Sequence, residues 1–448
     1  MRPYKVLLFI AATMACLAAL CLVLPGRVAF AGTEVRWPTL AEVFENTEYR
    51  IQDTDLISLA DTIPEQLDTI VPTETVVPEQ PKPVIPPVRV DSTLDSRVYL
   101  HAFYAALAHA GEHSVRVLHY GDSQIEEDRM SQQIREALQK RYGGLGVGLM
   151  PLAQTIPSRS VKQQLHMNGR LIHPSQGPRR YMVYAPKRDQ RPDGLYGVMG
   201  QVAVMNDSLI SGSEELMAVC TPQAPENRYT RWRVFADSTV QYSFSGDTVY
   251  LSGQGKVYGL SQESDTGVIV DNIPMRGCLG LVFTKIDSTQ LATFYREEHV
   301  RLIILQFGGN AIPSNRNPGT IQSIVKGLRE QVRFIRSCAP EAAILFIGPS
   351  DMLTQTDGEW QTYPMVPYMD RLLHKMALEE QIAYFSLYRW MGGAGSMARW
   401  QEIGLAGSDG VHFMRSGARK AGNAVVNWLL EGMNTEHRTQ STDQDTKE

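Results

Sequence analysis

The strongest constraint on the fold is an alternation of short apolar segments with amphipathic ones, which occupies most of the chain beyond residue 95. It begins with a predicted strand at residues 115–120 and a predicted helix at 125–142. Further strands are predicted at 300–307, 342–347 and 382–388, and the helices that follow them at 320–337, 366–380 and 416–432. Strands separated by helices of this length predict a parallel sheet with helices on both faces, which is an α/β fold.

Between residues 155 and 265 the pattern changes to short segments rich in aromatic and β-branched residues, mostly separated by turn-forming residues. The clearest of these predicted strands lie at 229–235, 240–244, 248–251 and 256–260. The stretch predicts an antiparallel β-rich module inserted into the α/β domain. That domain would then comprise residues 96–154 and 266–433, and residues 434–448 would form a polar tail.

The first 31 residues have the organisation of an export signal. Arg2 and Lys5 precede an uncharged, mostly apolar run at residues 6–24, and the sequence Ala-Phe-Ala ending at Ala31 is typical of a cleavage site. Because the run is just long enough to cross a bilayer as a helix, an uncleaved membrane anchor is the alternative. The acidic, proline-rich residues 32–95 predict a spacer. We therefore expect an exported protein of the periplasm or cell envelope.

Charge and cysteine content argue against two classes of function. The formal net charge of −5 over 448 residues provides no basic surface for nucleic acid. Beyond the signal, Cys220, Cys278 and Cys338 form an odd, widely spaced set, which matches neither a disulfide framework nor the paired spacing of a zinc site. We expect these cysteines to act as small buried hydrophobic residues, and we expect no metal or organic cofactor. The sequence does not indicate the oligomeric state.

A Gly-Asp-Ser sequence ending at Ser123 lies at the carboxyl end of the first predicted strand, directly before a helix. Open α/β sheets bind their ligands at this edge, and the N-terminus of a helix favours an anionic oxygen. By itself, this sequence is more typical of a turn with a helix cap, because Asp and Ser are preferred cap residues. Ser123 becomes a candidate nucleophile only in combination with a base.

The sequence Asp409-Gly-Val-His412 supplies a candidate base directly before the last predicted helix. Of the ten histidines, only His412 has a carboxylate three residues before it. In a loop, this spacing lets the carboxylate reach Nδ1 of the imidazole and fix its tautomer, so that Nε2 can accept a proton from a serine. His412 is therefore the predicted general base, and Asp409 the residue that orients it.

Two glycine-containing segments provide candidate donors for an oxyanion. The sequence Phe307-Gly-Gly-Asn310 follows the most hydrophobic predicted strand; glycines allow a close approach to a ligand, and the amide of Asn310 can donate a hydrogen bond. A plain strand-to-loop turn is the alternative. Residues 275–280, which include Gly277, close the β-rich stretch and have little meaning alone.

Taken in order, these four segments resemble the Ser-Gly-Asn-His (SGNH, or GDSL-like) hydrolase family, whose blocks contribute a Ser, a Gly, an Asn and an Asp-x-x-His pair. The resemblance implies a three-layer sandwich with a parallel sheet. It also implies that Ser123 is the nucleophile and that Asp409 and His412 complete the triad. The oxyanion hole would consist of the backbone N–H groups of Ser123 and Gly277 and the side-chain amide of Asn310.

The resemblance covers roughly residues 96–433 and includes three departures. Gln124 replaces the usual aliphatic residue after the serine, and Ala311 replaces the common Asp after the asparagine. The third departure is the long gap from Ser123 to Gly277, which most affects the assignment of Gly277. A long insertion at this point is similar in arrangement to bacterial peptidoglycan O-acetylesterases that carry a β-sandwich carbohydrate-binding module there.

The residues and the resemblance together predict an exported serine esterase that removes O-acetyl groups from a glycan, namely cell-wall peptidoglycan or polysaccharide. One alternative keeps the triad but transfers the acyl group to a sugar hydroxyl, as an O-acetyltransferase does, and the sequence does not distinguish the two. The other alternative is a catalytically silent glycan-binding envelope protein, in which Trp232, Tyr242 and Tyr250 would stack on sugar rings. Aromatic residues in alternating strands more often pack across strands, and Ser, Asp and His are all present, so we rank this alternative last.

Overall fold

The computed structural model describes residues 27–30, 33–36, 85–90, 94–152, 157–172, 180–181, 202–203, 215–224, 228–236, 238–253, 257–315, 317–356 and 358–445. The predicted apolar signal run at 6–24 and most of the predicted spacer at 32–95 lie outside these residues. The chain divides into two units, residues 1–67 and 68–448. The described residues of the first unit form an antiparallel pair of strands, Arg27–Phe30 and Thr33–Arg36.

A five-stranded parallel sheet forms the centre of the second unit. In chain order its strands are β1 (Ser114–Gly121), β2 (Gly267–Pro274), β3 (Val300–Gln306), β4 (Ala343–Ile347) and β5 (Ala383–Phe385). In space the order is β2-β1-β3-β4-β5. Because the strand order reverses between β1 and β3, the carboxyl ends of these two strands flank a crevice where such sheets bind ligands.

Helices cover both faces of this sheet. They are α1 (His101–Ala108), α2 (Ser131–Tyr142), α3 (Ser288–Glu297), α4 (Pro318–Cys338), α5 (Val366–Glu379), α6 (Leu387–Met391), α7 (Ser396–Glu402) and α8 (Arg415–Asp445). Short 3₁₀ segments lie at Ser96–Leu100, Ser123–Asp128, Phe283–Lys285 and Gly309–Ala311. The helices α3, α4 and α5 share one apolar core with the sheet, and the other five share a second core on the opposite face. The predicted three-layer α/β architecture is confirmed.

Alternating side chains of the buried strands supply both cores. In β1, Val117 contributes to the core under α8, whereas Leu118 contributes to the core under α4. The local sequence determines where α4 begins. The side chain of Asn317 accepts a hydrogen bond from the N–H of Gly319 at 2.8 Å, and Pro318 occupies the first helical position. No helix among the residues described is both long and apolar enough for a bilayer crossing. The backbone of α8 continues into the predicted polar tail as far as Asp445.

The helix predicted at residues 125–142 is wrong in its first turn, because α2 begins only at Ser131. The preceding residues Ser123–Asp128 form a broken 3₁₀ turn, in which Glu127 has a left-handed φ of 60°. Two buried carboxylates of this turn are paired with arginines, Glu126 with Arg276 and Asp128 with Arg135. These tertiary ion pairs override the local helix preference. The strand predicted at 382–388 is also too long, since Ser386 caps α6 by accepting from the N–H of Arg389.

The chain between α2 and β2 forms the β lobe, defined by its strands from Gly148 to Glu263. One sheet contains five strands, in the order Val240–Ser245, Thr248–Gly253, Leu216–Pro222, Val161–Met167 and Arg170–Ile172. A second sheet contains Arg231–Ala236, Val257–Glu263 and Gly148–Met150. The lobe also contains a strand pair formed by Arg180–Tyr181 and Val202–Ala203. Outside the lobe, after β4, Leu353–Thr356 pairs with Glu359–Thr362. All strands described in the lobe pair in antiparallel fashion and its two larger sheets share an apolar core, so the predicted inserted β-rich lobe is confirmed.

A buried ion-pair network joins the β lobe to the parallel sheet. Arg116, on β1, contacts Asp271 of β2 at 2.8 Å and Glu263 of the lobe at 2.5 Å. Its guanidinium also lies 3.2 Å from Glu298, directly after α3. Because all of these side chains are at least 96% buried, each charge depends on its partners. The network therefore fixes the lobe to the edge of the sheet that contains β1 and β2.

Candidate active site

Ser123 lies directly after β1, at the point where the strand order reverses. The backbone N–H of the preceding residue, Asp122, donates to the carbonyl of Gln306 at the end of β3, at 3.2 Å. The carboxylate of Asp122 accepts a hydrogen bond from the N–H of Gln124 at 3.0 Å and so caps the 3₁₀ turn. The Gly-Asp-Ser sequence therefore serves both as a turn cap and as the support that presents Ser123.

The structure brings Ser123, His412 and Asp409 together at the carboxyl edge of the sheet, although Ser123 and His412 are 289 positions apart in the chain. The Ser123 Oγ lies 2.8 Å from Nε2 of His412. The opposite ring nitrogen, Nδ1, lies 2.6 Å from Oδ2 of Asp409. With Nδ1 donating to the carboxylate, Nε2 is the nitrogen free to accept the proton of the serine hydroxyl, which is the arrangement a serine nucleophile requires.

Asp409 is held as a carboxylate by several donors. Its Oδ1 accepts hydrogen bonds from the backbone N–H groups of Val411 and His412, at 2.9 and 3.0 Å. Burial by itself raises the pKa of Asp409, but the hydrogen bonds from His412 and from the two N–H groups outweigh it, and the net pKa is lowered. Asp409 therefore remains negatively charged beside the imidazole at neutral pH.

Asn310 lies just after β3 and lines a small pocket beside Ser123. Its Nδ2 donates to Oδ2 of Asp122 at 3.1 Å and to the carbonyl of Cys278 at 3.3 Å. Burial raises the pKa of Asp122 to about 6, even though the N–H of Gln124 and the nearby His412 act in the opposite direction. The role of the Asn310 amide in an oxyanion hole stays a prediction, and it requires that one of its N–H groups be shared with, or leave, these acceptors.

Gly277 lies in an exposed turn after β2, with a φ of 70°. It does not line the pocket, although the carbonyl of its neighbour Cys278 accepts from Asn310 at 3.3 Å. On its other side, Arg276 forms two hydrogen bonds with the buried carboxylate of Glu126, at 2.8 and 2.6 Å. This ion pair ties the turn of Gly277 to the turn of Ser123. The role of the Gly277 N–H group in an oxyanion hole stays a prediction.

The pocket beside Ser123 is small, with a volume of about 80 Å³. Pockets that enclose drug-sized ligands usually measure roughly 300–1,000 Å³. The walls include Phe307 and Pro313 after β3, the loop after β4, and Val411. From that loop Pro349, Ser350 and Met352 line the pocket, and sequence reasoning did not identify them. The only available signal was their position directly after a buried strand.

Gln124, the first departure from the family pattern, connects the turn of Ser123 to the loop that carries His412. Its Nε2 donates to the carbonyl of Val411 at 2.6 Å and lies 3.5 Å from Oγ of Ser350. Its Oε1 is buried, and no hydrogen-bond partner for it exists among the atoms described. The side chain thus replaces an apolar contact by a hydrogen bond to the loop that carries His412. Ala311, the second departure, is buried in the 3₁₀ segment that contains Asn310.

The β lobe contacts the serine turn (Ser123–Asp128), and none of the lobe residues that the structure describes lines the pocket. Arg159 pairs with Glu127 at 2.9 Å, and the hydroxyl of Ser160 donates to Asp128. Of the aromatic residues considered as sugar contacts, Trp232 stacks on Phe244 with a centroid distance of 6.1 Å. Tyr242 is exposed and Tyr250 is half-buried.

The three cysteines Cys220, Cys278 and Cys338 are buried and free. In the part of the chain that the structure describes, no cluster of three or more His, Cys, Asp or Glu side chains is arranged to hold a metal ion.

Comparisons with known proteins identify the fold. No protein-family model matches the chain, and no curated protein matches its sequence. A solved peptidoglycan O-acetylesterase structure matches with a TM-score of 0.58 and 18% identity, covering 77% of this chain and 98% of the other. A carbohydrate acetylesterase from Sinorhizobium meliloti matches with a TM-score of 0.28 and 16% identity, over 37% and 79% of the two chains. An aryl esterase of M. smegmatis has a TM-score of 0.27 and 15% identity, over 37% and 79%. The first of these shows a shared fold, so the predicted resemblance to an SGNH-type hydrolase with an inserted β lobe is confirmed for the architecture.

Proposed function

We propose that this protein is an exported serine esterase that removes O-acetyl groups from a glycan, with cell-wall peptidoglycan or polysaccharide as substrate. The observation that carries the proposal is the continuous hydrogen-bonded chain from Ser123 through His412 to Asp409, with links of 2.8 and 2.6 Å beside a small pocket. The shared fold with a peptidoglycan O-acetylesterase supports the choice of substrate class.

The first half of the reaction follows from the hydrogen-bond directions. As the Oγ of Ser123 attacks the ester carbonyl carbon, its proton moves to Nε2 of His412, and the carbonyl electrons move onto the oxygen. Asp409, held as a carboxylate, stabilises the imidazolium that forms. When the tetrahedral intermediate collapses, the bond to the sugar oxygen breaks and Nε2 returns its proton to that oxygen. The products are a free sugar hydroxyl and an acyl-Ser123.

The oxyanion of the intermediate needs donors at the same edge of the sheet. The candidates are the backbone N–H groups of Ser123 and Gly277 and the Nδ2 group of Asn310, which already lies in the pocket. Each such donor typically contributes about 3 kcal/mol to transition-state stabilisation. Because Asn310 also donates to Asp122, the developing charge competes with that carboxylate for the same N–H group.

In the second half, water takes the place of the sugar. His412 removes a proton from the water, which attacks the acyl carbon, and the bond to Oγ of Ser123 then breaks. Acetate leaves and Ser123 regains its proton. The volume of about 80 Å³ beside Ser123 suits a short acyl group better than a long chain. The predicted signal at residues 1–31 and the spacer at 32–95 support export to the periplasm or cell envelope, either released or anchored by residues 6–24.

The test is to incubate the purified protein with an aryl acetate and with acetylated peptidoglycan, and to measure free acetate and the mass of the glycan. The esterase proposal predicts that acetate is released from both at a rate that does not depend on added glycan acceptor. If an acceptor raises turnover and gains the acetyl group without net release of acetate, the protein is an O-acetyltransferase. Glycan binding without acetate release from either compound would show the catalytically silent alternative.

A further inference from the structure

A second cavity lies along α8, in the helical layer that also contains α6 and α7. Its volume is about 650 Å³, which is within the roughly 300–1,000 Å³ typical of ligand pockets. Its lining residues on α8 extend from Ser416 to Glu431, a span of roughly 22 Å at 1.5 Å per residue. Among the residues described, it shares no lining residue with the pocket beside Ser123. We call this cavity the α8 groove.

Aromatic rings line one side of the α8 groove. Phe385, at the end of β5, contacts Trp428 of α8 with a centroid distance of 5.7 Å and Trp390 of α6 at 6.4 Å. Both tryptophans are only half-buried, so part of each ring is accessible. The C–H faces of a sugar ring are apolar and pack on such rings, whereas its hydroxyl groups require polar neighbours at the edges. This aromatic side therefore fits a flat ligand with polar edges.

Polar side chains of α8 form another part of the lining. Arg419, Asn423 and Asn427 are exposed and follow one another at intervals of four residues, which places them on one face of α8. Guanidinium and amide groups donate hydrogen bonds in fixed planes, the former to carboxylates in particular. Lys420 adds a second positive charge, with its Nζ 5.6 Å from the ring centroid of Trp400.

Among the residues described, the lining of the groove contains two cations, Arg419 and Lys420, and one carboxylate, Glu431, which leaves an excess of positive charge. Glu431 lies 3.4 Å from Arg97, but Arg97 is itself paired with Asp95 at 2.7 Å. Neither Arg419 nor Lys420 has a carboxylate partner among the side chains that the structure describes. Two cations beside accessible aromatic rings favour a ligand with anionic groups. The electrostatic part of this attraction depends on salt, because both side chains are exposed.

We propose that the α8 groove binds a carboxylate-bearing glycan strand and thus makes a second contact with the substrate, separate from the catalytic pocket. The choice of a glycan rests on the proposed function, whereas the preference for an anionic ligand rests on the groove itself. The aromatic side receives the sugar rings, and Arg419 with Asn423 and Asn427 receives carboxylate and hydroxyl groups. A second contact of this kind retains the protein on an insoluble polymer between catalytic events.

The experiment compares Arg419→Glu and Asn427→Ala with Lys326→Glu, an exposed cation on α4 in the opposite helical layer. Binding to insoluble acetylated peptidoglycan is measured by co-sedimentation in the Ser123→Ala background, which prevents turnover. Hydrolysis of a soluble aryl acetate is measured with Ser123 intact. We expect Kd to rise about tenfold or more for Arg419→Glu and several-fold for Asn427→Ala, and to stay within about twofold for Lys326→Glu. Hydrolysis of the aryl acetate should stay within about twofold for all three.

Each other outcome overturns a defined part of the proposal. Unchanged binding by both groove variants would remove the groove as a glycan site. Equal binding of a neutral acetylated xylan would remove the preference for carboxylates. Competition by a synthetic peptide of residues 37–84, the acidic proline-rich stretch of this chain, would show that the groove holds a segment of the protein instead. If the parent protein fails to hydrolyse the aryl acetate while Arg419→Glu still weakens sedimentation, the esterase proposal fails and the groove remains.

Discussion

The turn that carries Ser123 and the loop that carries Asp409 and His412 meet at one edge of the sheet, but different interactions hold them. The serine turn depends on buried charges: Asp128 pairs with Arg135, and both side chains are at most 5% exposed. The histidine loop depends on hydrogen bonds within the loop, such as that from the N–H of Gly407 to the carbonyl of His412 at 2.8 Å. The side chains of His412 and Asp409 in this loop are 21% and 28% exposed.

This difference separates stability from catalysis. A buried ion pair resists motion, but removing one partner leaves an uncompensated charge. A loop held by local hydrogen bonds tolerates substitution, yet its carboxylate and imidazole must keep one orientation for proton transfer. We therefore expect changes in the histidine loop to reduce activity with little effect on folding, and changes in the buried part of the serine turn to reduce stability first.

The largest effect is expected for Asp409→Asn in the histidine loop. An amide at this position stabilises the wrong tautomer of His412, so kcat for an aryl acetate should fall by about 10⁴-fold. The free energy of unfolding should change by no more than about 1 kcal/mol, because the side chain is partly exposed. Steady-state kinetics and urea denaturation measure the two quantities. A large loss of stability with nearly normal kcat would show that Asp409 contributes to folding rather than to catalysis.

In the serine turn, Asp128→Asn should lower the free energy of unfolding by about 3–5 kcal/mol, because the buried Arg135 loses its ion-pair partner. The matched control is Glu127→Gln, the adjacent carboxylate, whose partners Arg129 and Arg159 lie at 3.2 and 2.9 Å. Glu127 is 23% exposed, and Arg129 keeps its hydrogen bonds to the carbonyls of Glu126 and Phe413, so the replacement should cost less, about 1–2 kcal/mol. Similar losses for the two variants in urea denaturation would show that burial of the pair does not matter.

The serine turn should also respond to pH through Asp122. Its pKa is raised from 3.8 to about 6 because burial favours the neutral acid. The folded state is therefore stabilised by protonation, an effect fully present below about pH 4 and lost as pH rises through about 6. Over that range the parent should lose about 3 kcal/mol relative to Asp122→Asn, which does not titrate. Denaturation of both proteins across this pH range measures the difference, and parallel stability curves would contradict the prediction.

The smallest effect is expected where the two regions touch, at Gln124→Leu. The substitution removes the hydrogen bond to the carbonyl of Val411 but also removes the buried Oε1 that lacks a partner. The free energy of unfolding should therefore change by no more than about 1 kcal/mol, and kcat should fall by less than about tenfold. Thermal unfolding and kinetics of this variant check both values. A loss comparable to that of Asp409→Asn would mean that Gln124 positions the histidine loop.

Part of the fold and of the candidate site could be predicted from the sequence. The strands β1, β3 and β4 were predicted from apolar runs, and parallel strands end at one edge, so Ser123 and Asn310 had to approach each other. The Asp-x-x-His spacing predicted the contact between Asp409 and His412 because it depends only on a local loop. The strand β2 and the helix α3 were not predicted, since they follow the β-rich stretch without a clear change of pattern.

Contacts between distant segments outside the four motif segments could not be predicted. The pair of Glu126 with Arg276 breaks the expected helix, and nothing in the local sequence marks Glu126 as buried or Arg276 as its partner. The wall formed by Ser350 and Met352 depends on the packing of the loop after β4. Gly277 was assigned by block order alone, and the structure places it in an exposed turn beside, rather than in, the pocket lining.

The mechanism requires that Ser123 form a covalent bond to the acyl group before water releases it. The direct measurement is to mix the protein with an acetyl ester, quench with acid during the first turnover, and determine by peptide mass spectrometry which residue carries the acetyl group. We expect an acetyl group on the peptide that contains Ser123, followed by free acetate, and neither with Ser123→Ala. Acetate release by Ser123→Ala at the parent rate, or an acetyl group on a different residue, would contradict it.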